Sequence, residues 1–299
     1  MSLRFDTISF LSDYGTGDEF VGVVHSVIRS LARDVTVLDI THQVPPFDVR
    51  AGGLTLARAA NHLVPGVVLA VVDPGVATHR QPVAIEVGGG QSILVGPDNG
   101  LLAPAVALVG GATAAVVLDR PEYQLERHTG AGPSTFDGRD VFAPVAAHLC
   151  RGVPLDEVGT PIDPARLVPG ILPVAEDTAD GGITAEVFWA DRFGNLQLNV
   201  EGDRLAAWPE TVGLRVGEEE RAAVRVNSFA EVPEGGLGVL VDSYGLLAVV
   251  ADRASAAHRL GVGPADTITL LPLAGRTATV SRSVPVALTT RPEGEETAS

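Results

Sequence analysis

The hydrophobic pattern of this 299-residue chain changes character once, near residue 172, and that change constrains the fold more than any other feature. Before it, short apolar runs alternate with segments of helical spacing. After it, only short β-rich runs remain, divided by Gly, Asn and Pro. Thr7 to Leu11, Val35 to Ile40, Pro82 to Val87, Ser92 to Val95 and Thr113 to Leu118 read as strands. Phe20, Val23, Val24, Val27, Ile28 and Leu31 recur at helical spacing, and Val49 to Leu63 and Val141 to Leu149 read as further helices. Val67 to Val72 is an unbroken apolar run, the mark of a strand buried on both faces. The alternation predicts an α/β N-terminal domain over residues 1–175, a mostly parallel sheet with helices on both faces. The turn-rich stretch LVPGILPVAEDTADGG reads as a linker. ITAEVFWAD, NLQLNV, VGLRV, AAVRV, LGVLVD, LLAVVAD and ITLLPL then predict a β-rich antiparallel barrel or sandwich over 183–274, with a short helix at Ala254 to Leu260. Residues 275–299 lose the core-forming pattern and are expected to be a mobile tail.

Composition removes several function classes. The net charge of −16 repels nucleic-acid backbones and anionic membrane surfaces, so neither is an expected partner. All 21 basic residues are Arg, which excludes a Schiff-base lysine and a phosphate-cradling GxxxxGK[ST] loop. Cys150 is the single cysteine, lies in an apolar stretch and reads as a buried bystander, so no internal disulfide or thiolate metal site is expected. Asn99 to Leu118 carries no charge, but Pro104 and Gly110–Gly111 split it into a short helix and a strand rather than a membrane span. Acids appear too early in MSLRFDTISFLSD for a signal peptide, which makes the cytoplasm the expected location.

Four turns carry the candidate chemistry. The first, Asp13-Tyr14-Gly15-Thr16-Gly17-Asp18-Glu19, joins a buried strand to a helix, where a parallel sheet presents ligands. The dinucleotide fingerprint fails at Phe20, and Asp18 and Glu19 would repel a pyrophosphate, which disfavours a nicotinamide oxidoreductase. Asp13 suits a ribose diol or a cation instead. In the second, Asp73 ends the most hydrophobic strand, and Pro74 and Gly75 turn the chain so that Arg80 faces it. The pair either fixes one small polar molecule or merely closes the turn. The third, Ser134-Thr135-Phe136-Asp137-Gly138-Arg139-Asp140, runs into a helix, where Arg139 and Asp140 also suit a cap. The fourth, Asp191-Arg192-Phe193-Gly194-Asn195, is either an ordinary hairpin turn or a purine clamp, its Phe stacking and its Asn bonding the base edge. No histidine pair has HxxxH or HExxH spacing, so no metal site is expected, and no GxSxG supports a serine nucleophile.

Taken in order, Ser12-Asp13-Tyr14-Gly15, DITH at 39–42, VVDPGV at 71–76 with Arg80, GPDNGLL at 96–102, STFDGRDVFAP at 134–144, DRFGN at 191–195 and DSYG at 242–245 resemble the SAM hydroxide adenosyltransferases. These are adenosine-forming S-adenosyl-L-methionine hydrolases, relatives of the fluorinase and chlorinase, and the likeness spans roughly residues 5 to 273. It implies a homotrimer whose sites lie between the N-terminal domain of one subunit and the C-terminal domain of its neighbour. It implies that Asp13 accepts the ribose diol and that Phe47 and Asn99 lie beside the ligand. Phe193 would stack on adenine and Asn195 bond its edge, with the backbone near Arg253 completing that pocket. Asp191 and Ser243 would hold the methionine ammonium and carboxylate. The family handles its water with Asp, Arg and His. Asp73 and Arg80 match the first two, but where the family commonly has TFHGRD this chain has Asp137. Asp137 therefore stands as the third catalytic candidate, accepting a proton or orienting Arg80, with His128 nine residues upstream as a substitute. The expected reaction is attack of water at ribose C5′, releasing adenosine and methionine without any cofactor. A non-catalytic nucleoside binder and a halide-using synthase are the alternatives, the latter opposed by the negative charge of Asp73.

Overall fold

The computed structural model describes residues 3–126 and 134–273, so His128 and the tail after 273 lie outside the described residues. The chain divides into two compact units, Met1–Pro173 and Val174–Ser299. The strands of the first are β1 (Thr7–Ser12), β2 (Thr36–Thr41), β3 (Val67–Val71), β4 (Pro82–Val87), β5 (Ser92–Pro97), β6 (Ala112–Val117) and β7 (Thr160–Ile162). Its helices are α1 (Phe20–Leu31), α2 (Val49–Ala60), α3 (Ala103–Leu108) and α4 (Ala143–Cys150). They build one sheet in the order β2-β1-β3-β5-β4-β6-β7.

The parallel part of this sheet is the half that sequence alternation marks: β2, β1, β3 and β5 run parallel. The other half is antiparallel, because the Gly88–Gly90 turn between β4 and β5 is too short for a crossover helix and forces a hairpin. Val67, Leu69 and Val71 of β3 pack with Val24 and Ile28 of α1 and with α4, while Val68 and Ala70 pack with α2 and α3 on the opposite face. Helices thus cover both faces, and β3 is buried along its whole length. On the second face Gly52 of α2 is required for close approach, since a Cβ there would lie 2.8 Å from Leu101 Cδ1. Asp48 caps α2 by accepting a hydrogen bond from Ala51 N–H at 2.8 Å.

The second unit contains β8 (Glu176–Asp177), β9 (Ile183–Ala190), β10 (Leu196–Glu201), β11 (Thr211–Val216), β12 (Glu219–Arg225), β13 (Leu237–Val241), β14 (Leu246–Ala251), β15 (Thr267–Pro272) and the short helix α5 (Ala256–Leu260). Strands β9 to β15 close into a seven-stranded barrel, because β10 pairs with β9 as well as with β14. Alternate residues such as Val187, Leu198, Leu214, Val239, Val249 and Ile268 fill the interior, which gives these strands their period of two. No helix among the described residues is long and apolar enough to cross a membrane.

Candidate active site

Strand order creates the site before any side chain is considered. From β1 the chain goes out to β2 on one side, then crosses to β3 on the other, so the order reverses between β1 and β3. A crevice opens at the carboxyl ends of strands at such a reversal. Ser12 pairs with Val71, so Asp13 and Asp73 leave the sheet side by side. Leu69 pairs with Val95, so Asn99 emerges at the same edge as Asp73. Here Asp13, Tyr14, Phe20, Phe47, Asp73, Phe136 and Asp137 line a cleft of about 250 Å³.

Arg80 forms the centre of its floor. Its Nε donates to both oxygens of Asp73 at 2.9 Å, its Nη2 also donates to Asp73, and Nη2 donates to Asp137 Oδ2 at 2.6 Å. The three side chains are only 9% (Arg80), 7% (Asp73) and 12% (Asp137) exposed. Burial works against the Arg80 charge, but the hydrogen bonds and charges of Asp73 and Asp137 outweigh it and hold its pKa above the ordinary value. The guanidinium also lies over the Phe142 ring, 5.2 Å from its centroid. Two carboxylates on one guanidinium leave this floor formally negative.

Two turns aim these groups. After β3, Thr78 N–H donates to Gly75 C=O at 3.1 Å and brings Arg80 back to Asp73. Asp137 precedes a π-type turn, Gly138–Phe142, that widens the entry to α4. Ser134 Oγ donates to Asp140 at 2.7 Å and accepts from Phe136 N–H at 3.1 Å, while Arg139 Nε donates to Asp140 at 2.6 Å. Asp140 thus locks the loop, and Asp137 reaches Arg80. Tyr14 packs edge-on against Phe10 and Phe136. Desolvation, with Asp13, Asp73 and Asp137 nearby, holds its phenol proton far above the usual tyrosine range, so Tyr14 remains a neutral hydroxyl.

The other first-unit candidates take distinct places. Asp13 Oδ2 accepts Phe47 N–H at 2.9 Å, and Phe47, held at φ 68°, is 73% exposed at the rim. Asn99 Nδ2 donates to Val72 C=O at 2.9 Å and its Oδ1 accepts Leu101 N–H at 3.1 Å, so this amide braces the backbone beside Asp73.

In the second unit, Asp191 organises its own turn. Its carboxylate accepts Phe193 N–H at 2.8 Å, Asn195 N–H at 2.9 Å and Asn195 Nδ2 at 2.8 Å. Phe193 is consequently held outward, 72% exposed. Gly194 rests against Ser255, which a Cβ would approach to 2.0 Å, bringing this turn to the Arg253 loop. Arg253 has φ 43°, and its side chain is 95% exposed. Ser243 is exposed in a different turn, between β13 and β14, where Asp242 accepts Tyr244 N–H at 2.8 Å and Leu246 N–H at 3.1 Å.

Comparison with known proteins matches the model of the SAM hydroxide adenosyltransferase N-terminal domain to residues 8–159 and that of the C-terminal domain to residues 185–269. The chain belongs to this family. It is 47% identical over 262 residues to the (R)-S-adenosyl-L-methionine hydrolase of Salinispora tropica, covering 87% of this chain and 96% of that one. The fluorinase of Actinopolyspora mzabensis is more distant, 27% identical over 290 residues, covering 84% and 92%. A crystal structure of a conserved protein from Thermotoga maritima superposes with a TM-score of 0.80 at 33% identity, covering 88% of this chain and 99% of that one.

Against the SAM hydroxide adenosyltransferase pattern, the informative position is Asp137. It sits 2.6 Å from the guanidinium of the Asp–Arg pair, where motif order alone could not place it. Sequence reasoning did not assign Tyr14, Phe20 or Phe136 to the cleft wall. The signal available was an aromatic residue beside each acidic turn.

Proposed function

We propose that this chain hydrolyses S-adenosyl-L-methionine to adenosine and L-methionine, with the sulfonium epimer of its (R)-named relative as substrate. The observation that carries the reading is the largely buried Asp73–Arg80–Asp137 cluster on the floor of a cleft bordered by Asp13.

In this reading a water oxygen attacks C5′ in line with the C5′–S bond. The C–O bond forms as the C–S bond breaks, the sulfur keeps the bonding pair and leaves as a neutral thioether, and one proton is lost from the water. No acid is needed for departure, so the residues act on the nucleophile. Both oxygens of Asp73 are committed to Arg80, which makes Asp73 the orienting acid. Among the described residues Asp137 meets Arg80 through Oδ2, which leaves Oδ1 to take the proton. Arg80 stabilises hydroxide character as it develops, and Tyr14 supplies a neutral hydroxyl beside it. Holding one water in line contributes several kcal/mol to the rate. The negative floor favours a sulfonium cation and repels a halide, which argues for hydrolysis over halogenation.

Asp13 accepts the ribose diol, Phe47 and Asn99 border it, and Asp191, Phe193, Asn195, Ser243 and the Arg253 backbone hold methionine and adenine. A homotrimer with sites shared between subunits completes the proposal, supported by the exposed aromatics Phe47 and Phe193. The test is incubation with S-adenosyl-L-methionine in ¹⁸O-water, with and without chloride, followed by chromatography and mass spectrometry. Adenosine labelled at its 5′ oxygen is expected under both conditions. A 5′-chloro nucleoside would replace this reading with halogenation, and unchanged substrate would leave a binding protein.

A further inference from the structure

We propose that His25, Asp39 and His42 form a binding site for a divalent transition-metal ion of the zinc type, separate from the cleft chemistry. Asp39 belongs to β2, His42 follows the end of that strand, and His25 comes from α1, so one β–α–β unit supplies all three. His25 Nε2 lies 2.9 Å and His42 Nε2 3.0 Å from the same Asp39 oxygen, and the three ligand atoms lie within 4.8 Å of one another. A tetrahedral zinc shell with bonds of about 2.0–2.1 Å has ligand–ligand edges of roughly 3.3 Å. The two edges to Asp39 are already within a few tenths of an ångström of that value, and side-chain rotation adjusts the third.

His42 is the residue that points to a ligand. Its side chain is 5% exposed, and among the described residues Nε2 has no hydrogen-bond partner, because its approach to Asp39 lacks hydrogen-bond geometry. A buried nitrogen in this state is destabilising, and a bound metal ion would satisfy it. On the other side of the ring, Nδ1 lies 2.7 Å from Ser12 Oγ. Ser12 Oγ, which also accepts Tyr14 N–H at 3.3 Å, thereby fixes the orientation of the His42 ring. A ring held through Nδ1 in this way leaves Nε2 as the atom facing Asp39, as in an imidazole whose outer nitrogen is anchored while the other binds a metal. Phe10 lies against both imidazoles and provides an apolar floor, while Asp39 and His25, 42% and 35% exposed, leave the outer side open to a water ligand. Gly15 N–H also donates to His42 C=O at 2.7 Å, so an ion here would tether the Ser12–Gly15 segment to β2.

Chelator-treated full-length protein is titrated with Zn²⁺ in competition with a chromophoric chelator, and with Co²⁺ by visible absorption. One ion per chain, a Co²⁺ band of tetrahedral intensity and a raised Tm are expected. His25→Ala and Asp39→Asn, both at partly exposed positions, weaken Zn²⁺ binding at least about tenfold while the metal-free circular dichroism is unchanged. Absence of stoichiometric binding, or equal affinity in the parent and His25→Ala, overturns the site, and neither result bears on the hydrolase reading.

Discussion

At Gly138 an added Cβ would lie 2.1 Å from the Tyr14 hydroxyl and 3.2 Å from the Phe136 ring. Gly138→Ala therefore displaces Tyr14, and denaturant unfolding should show a loss of about 1–3 kcal/mol with a parallel fall in turnover. Asp137→Asn keeps the shape and a contact to Arg80 but removes the proposed proton acceptor. Its kcat should fall about 10²-fold or more with KM little changed, and turnover at the parent rate would remove Asp137 from the chemistry. Arg80→Ala leaves two buried carboxylates facing one another, so it should cost about 3–5 kcal/mol of stability as well as activity. A sequence of acids and glycines suggested these positions; only the fold brings both acids to one guanidinium.

The strand β3 and the helix α4 are the elements on which the site rests. Leu69, fully buried in β3, touches the core shared with α1 and α4, and Leu69→Ala should cost about 2–5 kcal/mol, read by chemical denaturation. Cys150 ends α4 with no exposed surface, and burial pushes its thiol up to about 12 from 9.0. The unfolded chain thus loses this proton first as pH rises. The stability that the folded thiol contributes is complete below about pH 9 and is lost toward pH 12, at up to about 1.4 kcal/mol per pH unit. Cys150→Ala should flatten the alkaline stability slope relative to the parent, and an unchanged slope would contradict the assignment. Disulfide-exchange reagents should modify Cys150 only on unfolding.

Across the whole molecule, the proposed trimer makes a quantitative prediction. Asp73→Asn disables the first-unit half of a site and Asp191→Asn the second-unit half, so each variant alone should be nearly inactive. If sites are shared between neighbouring subunits, refolding the two variants together rebuilds roughly a quarter of the sites by random mixing. Sites contained within one chain would recover none, and light scattering reports the oligomer directly. The charge of −16 adds a long-range attraction for a substrate bearing a sulfonium and an ammonium. Apparent KM should accordingly rise with ionic strength.

By itself the sequence determined most of the longer elements, with ends that shift by up to three residues in the structure. The unbroken run Val67 to Val72 marked a strand covered on both faces, and the period-two runs after residue 183 marked strands with one buried face, in a barrel or a sandwich, because burial is written locally in side-chain spacing; the β9–β10 pairing decided the barrel. It also marked Asp13, Asp73 and Arg80, which lie at strand ends within a few residues of the apolar runs that fix them. What lies far apart in the chain was decided by tertiary structure. Strand order set Asp13 beside Asp73, and the π-type turn before α4 brought Asp137 onto Arg80 across 57 positions. Packing of α1 against β2 gathered His25, Asp39 and His42, which no spacing rule for metal ligands on one helix detects. The antiparallel half of the sheet was likewise decided by a three-residue glycine turn that alternation cannot see. Local spacing encodes which face is buried, whereas the meeting of distant side chains depends on the energy of the whole packed sheet.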